Sequence, residues 1–158
     1  GVSLDREAAK GNPDAFRLPK PHVEGSPLDM SFSGLKTAAV NILHNAQQRG
    51  ETVNIPDLCA SYQNAVCHAL VDRLMIAAEE GGYRTVAAAG GVSANSGLRA
   101  LLVRECGRRH LRLFLPPLSL CGDNAAMVGA QAYYEALAGH FAGLDLNAAP
   151  SMAIDEEF

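Results

Sequence analysis

Apolar positions recur along this chain with two different periods, and the switches between them mark out the elements. From Ser33, the residues Leu35, Ala38, Ala39, Ile42, Leu43 and Ala46 fall on one helical face, which predicts a helix capped by Ser33 and stopped at Gly50. The next pattern is stronger. Asn54 can cap a helix whose first turn holds Pro56 and Asp57, and Gly81 and Gly82 end it. Between them Leu58, Tyr62, Ala65, Val66, Ala69, Leu70 and Leu74 make its apolar stripe. Two short β-compatible runs follow, residues 85–89 and 111–115. The first leads through Gly90 and Gly91 into a helix carrying Leu98, Leu101, Leu102 and Cys106. The second is broken at Pro116 and Pro117, and a last helix is predicted from Gly122 or Asp123 to about Ala138.

Residues 1–30 are rich in Gly and Pro. A short helix fits residues 3–10, and the run LPKPHVEGSPLD reads as an extended connector because Pro19, Pro21 and Pro27 each oppose helix. Residues 30–32 (MSF) are a third candidate strand, and residues 139–158 form a weakly patterned, acidic tail. The order strand–helix–strand–helix predicts a helix-rich α/β fold with parallel pairing and right-handed crossovers. Two firm strands are few for a parallel sheet, so part of a larger sheet is expected, its other strands upstream.

Composition narrows the function classes. At 158 residues with 48% apolar content, one domain with a substantial core is expected. A formal net charge of −4 argues against a strongly basic nucleic-acid module acting alone. With no Trp and few aromatics, a base-stacking platform is not expected. Cys59, Cys67, Cys106 and Cys121 form no CxxC pair and read as buried thiols of a reducing, cytoplasmic compartment. The histidines include no HxxxH or HExxH, and no apolar run is long enough to span a membrane.

In open α/β sheets ligands bind at the carboxyl ends of strands. Two loops hold that position here. Gly90 and Gly91 would let a ligand approach backbone without a Cβ in the way, and Asn95 starts the following helix. Read alone, this loop fits a capped tight turn as well as a nucleotide site. In the second loop, Asp123 reads alone as a helix cap, with a metal ligand as the alternative. Lys36 falls in a first turn, where a cation opposes the helix dipole. Solvated lysine and a lysine facing an anion both fit. Asp5 reads locally as a surface acid near a helix start.

Together these stretches carry more than each does alone. SFSGLKTA at 31–38, AGGVSANSGLR at 89–99 and LCGDNAAMVG at 120–129 resemble, in that order, the TsaD family of tRNA threonylcarbamoyl transferases, formerly called glycoproteases. The stretch GNPDAFRLPKP at 11–21 is similar to the same family. The resemblance implies the actin-like ATPase fold, with two ribonuclease-H-type lobes around a nucleotide cleft. It implies transfer of threonylcarbamoyl from its adenylate to N6 of the adenine 3′ of the anticodon, with tRNA and other proteins of that pathway as partners. On that basis Gly90, Gly91 and Asn95 face the nucleotide (the adenylate, or ATP or ADP), and Asp123 binds a divalent iron, zinc or magnesium ion. Gly1 and Asp5 would lie near the ribose, and Ser33 and Lys36 belong to the nucleotide-side motif. Family members carry HxxxH histidines and a glycine-rich phosphate loop in an amino-terminal lobe. Neither motif occurs here, so residues 1–158 are expected to be a single carboxyl-terminal lobe, inactive alone. A nucleotide-binding or partner-docking module, and a sugar-kinase-like or carbamoyl-transferring ATPase, are the alternatives.

Overall fold

The computed structural model describes residues 1–21, 23–25, 27–148 and 151. Among these residues five α-helices and a pair of strands follow one another: α1 (Val2–Ala8), α2 (Ser33–Gln48), α3 (Ile55–Glu80), β1 (Thr85–Ala87), α4 (Ser96–Arg108), β2 (Arg112–Phe114) and α5 (Ala125–Ala138). Short 3₁₀ turns, Gly91–Ala94 and Leu118–Leu120, follow the two strands. The strands pair in parallel, Thr85 with Arg112 and Ala87 with Phe114. The α/β order and the parallel pairing are as the sequence predicts. Residues 30–32 form no strand, because no strand among the described residues lies beside them to supply a ladder. The chain divides into two compact units, Gly1–Gly122 and Asp123–Phe158.

The core of the first unit lies between α3, α4 and the strands. Cys67, Val71, Met75 and Ala78 of α3 meet Val86 of β1 and Leu98, Leu101, Leu102 and Cys106 of α4. All four predicted α4 positions are therefore core. On α3 the predicted stripe holds in part: Leu58 and Ala69 are buried, Leu70 and Leu74 pack at the margin, and Cys67, Val71 and Met75, outside the predicted stripe, are buried as well. The reason is that α3 packs against α1, α2 and α4, so no single face dominates its burial. Cys67, Cys106 and Cys121 are buried and Cys59 is half-buried; all four are free thiols.

Helix ends follow local chemistry. Asn54 caps α3, its Oδ1 accepting from the Asp57 amide at 3.2 Å. Ser33 does not cap α2. Phe32 already has near-helical angles, so it occupies the cap position, and Ser33 becomes the first helical residue. Four helices end on a left-handed residue that closes the last turn: Gly50 after α2, Gly82 after α3, His110 after α4 and Gly139 after α5. After α4 the closing bonds are His110 N to Gly107 O at 3.2 Å and Leu111 N to Cys106 O at 2.9 Å. Glycine adopts this conformation without a Cβ clash, whereas His110 holds it at φ 55°.

The segment before α2 is fastened to α3. Asn12 N donates to Asp57 Oδ1 at 2.7 Å and Phe16 N to Ser61 Oγ at 3.0 Å. Arg73 donates to the carbonyls of Pro21 and Asp29. On α4, the buried Glu105 carboxylate accepts from Arg104, Arg108 and Arg109. The Arg109 bond, then those of its neighbours, holds its pKa below the ordinary carboxylate range. Among the described residues no helix is long and apolar enough to cross a membrane.

Candidate functional site

The loop after β1 is shaped by Gly90. Its angles, φ 85° and ψ 171°, lie in a region essentially closed to residues with a Cβ. A Cβ built there would meet nothing within 4 Å, so the glycine is needed for backbone shape, and the space beside it is open. Gly91 starts the 3₁₀ turn and is equally unobstructed. Ser93, only 2% exposed, turns its hydroxyl back onto the Gly90 carbonyl at 2.6 Å.

Asn95 ends the loop and caps α4, its Oδ1 accepting from Leu98 N at 2.9 Å. That bond fixes which way the amide points. Its Nδ2 then donates to Gln63 Oε1 at 2.8 Å and to Asp5 Oδ1 at 3.1 Å. Asp5 in turn accepts from Ser96 Oγ at 2.7 Å and from Ser96 N at 3.1 Å. A carboxylate thus sits on the amino end of α4, where the helix dipole favours negative charge. Asp5 and Asn95, 90 residues apart in sequence, are one cluster. Beneath it, burial first and the Asp5 charge second push the Cys67 thiol up to about 11.

The other predicted residues lie outside this cluster. Gly1 immediately precedes α1, its carbonyl accepting from Asp5 N at 3.1 Å. Ser33 and Lys36 are exposed on the first turn of α2. Asp123, exposed, opens the second unit. It does not cap α5: Asn124 does, its Oδ1 accepting from Met127 N at 3.1 Å. Among the described residues no three His, Cys, Asp or Glu side chains gather to hold a metal. A single exposed carboxylate does not amount to a divalent-metal site, so these residues do not hold one by themselves.

Several members of the site escape sequence reasoning. Gln63, in mid-helix, belongs to no cap, spacing or motif signal, yet its Oε1 accepts from Asn95 Nδ2. Ser93, Arg99 and Cys121 are joined across the two loops: Arg99 Nε donates to Ser93 O at 2.7 Å, and its Nη2 donates to Pro116 O and lies 3.5 Å from Cys121 Sγ. The Ser93 hydroxyl, then the Arg99 guanidinium, holds the Cys121 thiol below its ordinary pKa. Two grooves flank α3, one bordered by Phe16 and Arg73, the other by Gln63 and Gly97; neither includes Gly90, Gly91 or Asn95.

A parallel strand pair with helices returning alongside defines a helix-rich α/β lobe. The structure of HypF from T. kodakarensis, a protein of the actin-like, ribonuclease-H-type ATPase fold, superposes with a TM-score of 0.58 at 24% identity, covering 88% of this chain and 17% of that one. That likeness fixes the fold class. The family model for TsaD, tRNA N6-adenosine threonylcarbamoyltransferase, matches residues 1–130, and the chain belongs to this family. The enzyme of that name from Halalkalibacterium halodurans is 46% identical over 157 residues, and that from Clostridium botulinum strain 657 is 40% identical over 156. Each alignment takes in 99% of this chain and 46% of the relative, so the chain spans about half the length of the curated relatives it matches.

Proposed function

We propose that this chain is the carboxyl-terminal lobe of a two-lobe cytoplasmic transferase that moves threonylcarbamoyl from its adenylate to N6 of the adenine 3′ of the anticodon, and that it supplies the adenosine side of the site. One observation carries the reading. An open, Cβ-less loop at the carboxyl end of β1 runs directly into a helix start where Asp5 and Asn95 are held together. A nucleoside lying on Gly90 and Gly91 would meet backbone on one side. Its hydroxyls would meet the Asp5 carboxylate, an acceptor that Asn95 holds in place. Gly1 borders that pair, and Ser33 and Lys36 are assigned to the same nucleotide-side surface. tRNA is the acceptor, and an amino-terminal lobe and other proteins of the pathway are the partners. Asp123 is assigned as one ligand of a divalent metal whose remaining donors lie outside the described residues.

Calorimetric titration of the intact protein with ADP or a stable threonylcarbamoyl-adenylate analogue tests the assignment. Asn95→Ala should weaken binding by about 1–3 kcal/mol, since the half-buried Asp5 carboxylate loses the amide that holds it. Unchanged affinity would return Asn95 to a purely capping role. Metal analysis of intact Asp123→Ala should show reduced content, and full occupancy would remove Asp123 from the ligand set.

A further inference from the structure

We propose that Arg99 is a positioning residue that clasps the two strand-to-helix loops together and thereby holds the Gly90–Gly91 backbone in its nucleotide-accepting shape. The inference rests on the nucleotide reading above and adds a residue to it. Arg99 sits on the first turn of α4, where a cation opposes the helix dipole, so its placement needs a compensating cause. Its hydrogen-bond acceptors provide one. Nε donates to the Ser93 carbonyl in the loop after β1, and Nη2 to the Pro116 carbonyl in the loop after β2, with Cys121 Sγ at 3.5 Å. A planar guanidinium can serve carbonyls on two separate segments at once; an ammonium is a point charge and cannot reproduce that fork.

The clasp continues into the glycines. Ser93 carries it from its own carbonyl to its hydroxyl, which donates to Gly90 O at 2.6 Å. The same hydroxyl oxygen lies 3.4 Å from Cys121 Sγ, so the two loops also touch beneath the guanidinium. Glycine reaches this backbone without strain but also many others, so contacts around the loop must select the one shape Gly90 adopts. Arg99, Ser93 and Cys121 make those contacts. None of the three need touch the nucleotide.

The test is calorimetric titration of the intact protein with ADP, in wild type, Arg99→Ala and Arg99→Lys. Both variants should bind about tenfold more weakly, with lysine no better than alanine by more than about twofold. Millimolar guanidinium chloride should restore most of the affinity of Arg99→Ala and leave wild type unchanged, a rescue that general loosening of the fold would not show. In turnover assays, KM for the adenylate should rise while kcat changes little. Wild-type affinity in Arg99→Lys, or no guanidinium rescue of a folded Arg99→Ala, would overturn the clasp. Should Arg99→Ala fail to fold, Arg99→Lys alone decides it. If wild type binds no adenosine nucleotide, the proposed function itself fails, a result separate from either outcome for Arg99.

Discussion

Asn95 and Asn124 open their helices with the same side-chain cap, and the helices then diverge. Each follows a parallel strand and a bend, and each accepts from the amide three residues on, at 2.9 Å from Leu98 and 3.1 Å from Met127. Yet α4 buries Leu98, Leu101, Leu102, Glu105 and Cys106, while α5 buries none of its residues. Composition would have suggested the reverse, since Glu135 is the only charged residue of α5 and α4 carries three arginines. A cap is a local device and says where a helix begins. Burial depends on what the rest of the chain brings to that helix, and to α4 it brings α3, β1 and, through Asp5, α1.

The contrast can be broken most forcefully in the core. Leu102→Ala should lower stability in urea unfolding by about 2–5 kcal/mol, because Leu102 is 2% exposed. Leu137→Ala in α5 should stay within about 0.5 kcal/mol. Equal losses would mean that α5 is anchored as α4 is. A smaller difference is expected at the caps. Asn95→Ala should cost about 1–3 kcal/mol, since Asp5 and Gln63 lose a partner as well as Leu98 losing its cap. Asn124→Ala should cost about 1 kcal/mol, the usual worth of an Asn cap. Thermal unfolding of the two variants side by side measures that gap directly.

Within the first loop, Gly90→Ala should destabilise by about 1–3 kcal/mol through backbone strain alone. Gly91→Ala should be neutral within about 0.5 kcal/mol. If both were neutral, the loop would not depend on the Gly90 conformation. A pH series sharpens the picture of α4 further. The folded-state pKa of Glu105 is depressed, so its contribution is present above the ordinary value of 4.5 and fades as pH falls through the lower folded value. Glu105→Gln should therefore flatten the acid side of the stability curve and leave its slope near pH 7 unchanged.

What could be read from sequence was mostly local. Asn54, Gly50, Gly82 and the four α4 core positions stand out because caps, stops and helical spacing act over a few residues. Ser33 misled because any serine before an apolar run looks like a cap, and the choice between Phe32 and Ser33 depends on one pair of dihedrals. Asp123 misled for the same reason, standing one residue from the asparagine that does the capping. The α3 stripe matches burial only at Leu58 and Ala69, because three neighbouring helices share that burial. The Asp5–Asn95 cluster had no local signature. Only the family resemblance brings both residues together, and it carries no sign of the Gln63 and Arg99 hydrogen bonds.

His110 is where this fold keeps a reserve for the protein engineer. Three of its helices hand the chain on through a glycine, and α4 alone does so through a side chain held at φ 55°. A residue with a Cβ in that region gives up about 1 kcal/mol. His110→Gly should return part of it as added stability, at a turn well separated along the chain from Gly90, Asn95 and Arg99.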